Sequence, residues 1–376
     1  MRIGGRGRKA SDGPPSQSSG ALLRRIRDLA IPLLILAAVI AASAIAFGPA
    51  SLRYALTGAV TASVVIPGAI GLSLLYGIRK FANFAHGELM SLGAYIALAV
   101  NVQLRMDLAW AFVLAALALA PVGVLLELAI FSRLGTRGPV PSLVASIGLS
   151  LVLQNLIAAV WGTEIQVYRI PVQSDIILPG GLPINPVKGI LTISLGLALV
   201  VSVHLLLTRT FLGKAMRATA DNMDLARSTG IRARRVILWT WVLTAALAAV
   251  GGILIGLARD IRPTMGFDLL LLVFAAVVLG GIGSPYGAMF GGLVIGLATE
   301  MSVPFLSWLE ANAGLVHGTA YDRVVAFLIM VVVLLVRPEG ILGGRRQAGG
   351  TGAIRWIRSR VGPLLGRRTG EEAHGD

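Results

Sequence analysis

Repeated runs of about 20 residues with almost no charge constrain this chain more than any other feature. The stretch 189–208, GILTISLGLALVVSVHLLLT, is one of them. Each is long enough to cross the roughly 30 Å hydrocarbon core of a bilayer as a helix. In lipid only helices or closed barrels satisfy the backbone, and these runs lack the alternation of a barrel strand. Charged residues make up only 14% of the chain, with a mean hydropathy of +0.81, against roughly 25% charge in a soluble domain. The fold class that follows is all-α, a polytopic helical membrane protein.

Spans are expected near 29–48, 55–78, 84–103, 108–132, 141–162, 189–208, 236–258, 268–300 and 322–336. The run 29–48 follows Arg24, Arg25 and Arg27. It reads as a retained first span rather than a cleaved signal, because the chain stays hydrophobic after it. The run 268–300 would be about 50 Å long as one helix. It is interrupted by Gly280, Gly281, Gly283, Pro285, Gly287, Gly291 and Gly292, so it reads as two helices or half-helices joined by the turn GGIGSPYG. About eight full spans plus this broken or re-entrant hairpin, or about ten crossings, are expected.

Charge distribution supports the hairpin. With the N-terminus inside and 268–300 returning to its starting side, all but seven of the 33 basic residues face inward. The exceptions are Arg53, Arg105, Arg169, Lys188, Arg259, Arg262 and Arg323. A single crossing would put Arg337, Arg345 and Arg346 outside, against the positive-inside rule. The formal charge of +15 thus reflects topology, and no soluble basic region is available to bind nucleic acid. The resulting layout is a basic tail over 1–28, a membrane domain over 29–343 and a second basic tail over 344–376. The stretch 163–187, with Glu164, Arg169, Asp175 and several prolines, becomes an external segment, as does 301–321.

Between two apolar runs lies a polar island, 209–235, carrying Arg209, Lys214, Arg217, Arg227, Arg232, Arg234 and Arg235. Its helix formers and the stop at Gly230 predict a short helix. Met216, Ala220 and Met223 share one side of it, with Arg217, Asp221 and Asp224 adjacent. Such a helix needs a partner surface to be stable; a plain solvated linker is the competing reading.

Polar residues within spans are the functional candidates. Asn83, His86, Gly87 and Glu88 open the span at 84–103. Either they line a path, or Asn83 caps the helix while His86 and Glu88 sit at the interface. Gln154 and Asn155 lie inside another span and serve either interhelical hydrogen bonding or solute contact. Glu127 and Glu300 lie near span ends and read as interfacial carboxylates. The four histidines are scattered without metal-binding spacing, and neither G-x-S-x-G nor a P-loop occurs. No disulfide or thiolate chemistry is available to a chain without cysteine. An ion-coupled secondary transporter is a second reading, since such proteins also use broken helices. A membrane enzyme using His86 and Glu88 as acid and base is a third, lacking a second reactive group.

Three segments, in order, carry a family resemblance. ANFAHGELMSLGAYIA (82–97), GKAMRATADNMDLARSTGI (213–231) and AAVVLGGIGSPYGAMFGGLVIG (275–296) resemble the signature, coupling loop and glycine-rich hairpin of branched-chain amino acid ABC importer permeases. That family also includes permeases for urea and short amides. The resemblance covers about residues 50–340. It implies a transport subunit with no catalytic residues, no metal and no cofactor of its own, ATP being bound by partner subunits. Implied partners are a second permease, two ATP-binding subunits and a periplasmic or extracellular solute-binding protein. The implied location is the bacterial cytoplasmic (inner) membrane, with both termini inside. Gly213, Lys214, Arg217, Ala218, Asp221, Asp224 and Gly230 would couple to the ATPases. Asn83, His86, Gly87, Glu88, Gln154, Asn155, Gly281, Gly283 and Ser284 would lie near the translocation path or gate.

Overall fold

The computed structural model describes residues 50–336 apart from 172, 179–181 and 314–321, together with 48 and 340–342. The first expected span, 29–48, apart from its last residue, and both tails lie outside the described residues. The elements are α1 (Ala50–Arg79), α2 (Ala85–Leu98), α3 (Leu108–Leu126), α4 (Pro139–Trp161), α5 (Thr192–Arg209), α6 (Phe211–Asp221) and α7 (Met223–Ser228). They continue with α8 (Ala233–Ala258), α9 (Met265–Gly280), α10 (Pro285–Ala313) and α11 (Asp322–Val336). Helix α2 runs on through a π-turn at Ala99–Gln103, α3 through Glu127–Phe131 to Leu134, and α5 starts from Pro186–Leu191.

Among the described residues, six helices are long and apolar enough to cross a membrane: α1, α3, α4, α5, α8 and α10, counting those extensions. Helices α9 and α11 are shorter apolar helices. The 268–300 run is indeed two helices, α9 and α10, lying against each other. Among the described residues the backbone also pairs outside helices. Ile176–Leu178 (β1) and Leu182–Ile184 (β2) pair as a small antiparallel hairpin in the 163–187 segment. Pro183 disfavours helix there, and two short strands pair the backbone instead.

Helices α1 and α8 form the buried axis, whereas α3, α4 and α5 leave most of their length exposed. Helix α1 packs against α5, α8, α9 and α10, and α8 also packs against α2 and α3. Glycine makes this possible by letting backbones touch. A Cβ on Gly252 of α8 would lie 1.8 Å from the Met90 carbonyl oxygen of α2, and one on Gly93 would lie 2.4 Å from the Ala249 Cα. Without a hydrophobic driving force between helices in lipid, such close packing is the main source of association. Around the crossing, Phe81, Phe131 and Trp241 stack at centroid distances of 5.0 and 5.1 Å, tying the turn after α1 to α3 and α8.

A buried ion pair closes one end of the bundle. Arg79, the last residue of α1, grips Glu127 of α3 through both Nη2 and Nε, the latter at 3.2 Å. Glu127 is 3% exposed, so it is a core residue rather than the interfacial carboxylate expected. Glu300 is also engaged: it accepts from Thr61 Oγ1 (2.8 Å) and pairs with Arg259 (3.4 Å).

Two outcomes follow. Gly252→Ala should lower the thermal midpoint of the detergent-solubilised protein, by the ~1–3 kcal/mol of an overpacked contact. Gly148→Ala, on a face of α4 with nothing within 4 Å, should leave it unchanged or raise it; equal downward shifts would refute the close-contact argument. Arg79→Ala should cost ~3–5 kcal/mol by stranding Glu127, more than the double variant Arg79→Met/Glu127→Leu in the same melt.

Candidate functional site

The NFAHG segment enters the core of the bundle. Asn83 and His86 are fully buried and Glu88 is 1% exposed. His86 Nε2–H donates to the Gly68 carbonyl of α1 at 2.9 Å, and the ring edge lies 3.0 Å from where a Cβ of Gly71 would be. Gly71 and Gly68 lie eight and eleven residues before Arg79, so the imidazole sits about 12–16 Å along α1 from that end. His86 and Glu88 are therefore well inside the bundle, not at an interface. Asn83 keeps part of the capping role, its Oδ1 accepting from Ala85 N–H at 3.2 Å. Phe84 N–H is taken by Ser146 Oγ of α4 at 3.0 Å.

This seam is polar beyond what its hydrogen bonds use. Among the described residues, eight buried side-chain polar atoms lack a partner at normal hydrogen-bond geometry, and six belong to residues 83–95, where the Glu88 carboxyl faces Ser91. They are Asn83 Nδ2, His86 Nδ1, both Glu88 carboxyl oxygens, Ser91 Oγ and Tyr95 Oη. The other two, Ser73 Oγ and Trp241 Nε1, come from α1 and α8, the helices packed on α2. Folded chains leave few buried polar groups unpaired, so this concentration calls for a reason. Gly87 is the contact point with α9: a Cβ there would meet the Gly266 carbonyl oxygen at 2.4 Å.

The other path candidates lie elsewhere. Gln154 is half-buried and Asn155 is exposed on α4, where Asn155 Nδ2 donates to Leu151 O one turn back at 2.8 Å. They do not join the seam. Gly281 (φ +110°), Gly283 (φ +83°) and Ser284 form the turn between α9 and α10. Ser284 Oγ caps α10 by accepting from Gly287 N–H at 3.1 Å. The turn lies against Tyr76 and Gly77 of α1, and residues 340–342 fold back on α9, Ile341 N–H donating to Leu279 O at 2.8 Å. It thus belongs to the Arg79 end.

At that end the polar island is folded. Thr210 Oγ1 caps α6 by accepting from Gly213 N–H (3.0 Å), and Asn222 Oδ1 caps α7 by accepting from Asp224 and Leu225 N–H (3.1 and 3.0 Å). The expected single helix is therefore broken at Asn222, whose side chain favours a cap over a helix interior. Gly230 ends α7 with φ +89°, a left-handed stop that side-chain-bearing residues resist. Gly213, Ala215, Met216 and Thr219 are buried against the bundle and Ala218 is half-buried. Lys214, Arg217, Asp221 and Asp224 are exposed.

Two features of this end escape a reading of the sequence. Phe211 and Leu225 are 80% and 63% exposed, apolar side chains standing among charges on the outer side of α6 and α7. A helical wheel of 211–221 would have placed Phe211 beside Lys214. Lys80, in a left-handed conformation (φ +59°), donates from Nζ to Gly77 O and to Ala220 O of α6, the latter at 2.9 Å. It joins the end of α6 to the start of the NFAHG segment, and nothing in its neighbouring sequence announces that link.

The model of the family described as "Branched-chain amino acid transport system / permease component" matches residues 54–334. The high-affinity branched-chain amino acid transport system permease protein LivH of Salmonella typhimurium is 33% identical over 297 residues, covering 73% of this chain and 90% of that protein. LivH of Escherichia coli K12 is 34% identical with the same coverage. The Pseudomonas aeruginosa permease protein BraD is 34% identical over 294 residues, again 73% and 90%. With its spanning helices and a match across three-quarters of its length, this multi-pass membrane protein belongs to the family of branched-chain amino acid transport system permease components.

Proposed function

We propose that the chain is the membrane-spanning subunit of an ABC importer for branched-chain amino acids or a related small polar solute such as urea. ATP hydrolysis on separate subunits drives it, and it binds no ATP itself. It sits in the cytoplasmic membrane with α6 and α7 inside, where the excess of Arg and Lys belongs. It pairs with a second permease and receives solute from an external binding protein.

One observation carries this reading: Lys80 bridges the end of α6 to the turn that leads, three residues later, into the unsatisfied seam at Asn83. The helices α6 and α7 expose both apolar side chains, Phe211 and Leu225, and charged ones, Lys214, Arg217, Asp221 and Asp224, a mixture suited to a protein partner. An ATPase that moves α6 moves Lys80 with it, and so shifts the start of α2. Buried polar atoms along α2 then gain a role, offering hydrogen bonds to a solute or its water as the seam opens.

Two experiments test this. Tagged protein drawn from membranes should bring ATPase subunits with it, whereas Gly230→Trp, strained by ~1–2 kcal/mol or more at φ +89°, should insert normally and lose them. Absence of ATPases from well-folded wild type would refute the importer reading. Lys80→Ala should keep the ATPases but lower the maximal uptake rate about 10-fold or more, in line with charged hydrogen bonds of ~1.5–3 kcal/mol; unchanged uptake would remove Lys80 from the coupling route.

A further inference from the structure

At the opposite end of α8 from α6 and α7, about 38 Å away by the 26-residue length of that helix, the bundle holds a small open cleft. Its wall is apolar: Val64 of α1, Ile255 of α8, and Leu269 and Leu272 of α9. Its rim is charged with both signs. Arg262 Nη2 lies 3.1 Å from Asp268 Oδ2 and its Nε 3.7 Å from Asp260 Oδ2. Across the rim Arg259 pairs with Glu300, which also accepts from Thr61.

The rim is built on a fixed loop. Ile261, between the two arginines, is fully buried and pairs through N–H and carbonyl with Gln166, both at 2.9 Å. The arginines stay partly solvated, their side chains 46% and 44% exposed. Ion pairs at such exposure contribute little to stability, so fold stability alone is a weak reason for two arginines and three carboxylates to gather at one mouth. The start of α9, with Met265 and Asp268 lining the cleft, also rests on Gly87, next to the unsatisfied Glu88. The cleft thus adjoins the polar seam.

We infer that this cleft is the receiving site for a zwitterionic α-amino acid with an aliphatic side chain. The ligand's carboxylate exchanges onto the Arg262 guanidinium and its ammonium onto Asp268, while the side chain lies against Val64, Leu269 and Leu272. A net-neutral ligand carrying both charges replaces each half of the existing ion pair, so neither rim charge is left without a partner. Urea, with no charge and no apolar part, uses neither rim nor wall. The inference rests on the importer reading above, which makes this end the outer one, and it selects the amino acid from the two solute classes left open there.

The test is thermal stabilisation of the full-length chain purified in detergent, with millimolar ligands that each drop one feature. L-Leucine should raise the midpoint by about 2–4 °C. 4-Methylpentanoate (no ammonium), leucinamide (no carboxylate), glycine (no side chain) and urea should not. Arg262→Gln and Asp268→Asn should each weaken leucine binding about 10-fold or more. Should Arg262→Gln fail to fold, Arg262→Lys and the ligand series on wild type still decide the matter. No response to leucine, or equal responses to leucine, leucinamide and urea, overturns the site. If that happens while ATPases still co-purify, the importer reading stands and only the site falls.

Discussion

Close approach of α2 and α8 at Gly93 and Gly252 is the contact on which the rest of the structure depends. There the two backbones lie nearer than any side chain would permit. Because α1 packs on both helices, the same crossing brings Gly68 and Gly71 against His86. The polar groups of the NFAHG segment are thereby carried into the middle of the bundle. Lipid offers no alternative partner for them, so their burial follows from backbone packing and is not driven by their own chemistry.

Polarity in this bundle is concentrated along α2 and the helix surfaces facing it. Glu127 and Glu300 are each ion-paired to an arginine at the end of a neighbouring helix, Arg79 and Arg259. Glu88 instead faces only Ser91 of its own helix, in a segment where His86 and Asn83 each keep one ring or amide nitrogen unused. A structure that served only stability would have filled these positions with apolar side chains or completed their hydrogen bonds.

The two ends of the molecule are specialised differently, and α8 joins them. One end carries the capped helices α6 and α7, the α9–α10 turn and the Arg79–Glu127 clasp. Lys80 connects these parts to α2. The other end carries a loop pinned by Gln166 and Ile261, with mixed charges around an apolar cleft. Helices α3, α4 and α5 leave apolar faces uncovered, where lipid or a second permease can pack; Asn155 satisfies its own amide locally on that side.

Much of this was legible in the chain itself. Hydropathy over windows of 20 residues located the spans, because the cost of exposing polar backbone and side chains to lipid is paid residue by residue. The glycine-rich interruption became a turn with Gly281 and Gly283 at positive φ, and Gly230 ended α7 as its backbone freedom requires. The NFAHG, coupling-loop and hairpin segments lie within the family match over 54–334. Only the tertiary structure decided how deep His86 and Glu88 lie, that Glu127 pairs with Arg79, that Asn155 faces outward and that Lys80 reaches Ala220. Those facts depend on which helix faces meet across gaps of 48 to 140 residues. Periodicity fixes the apolarity of a face, but the partner it meets is set by shape, through the few glycines where two backbones can touch.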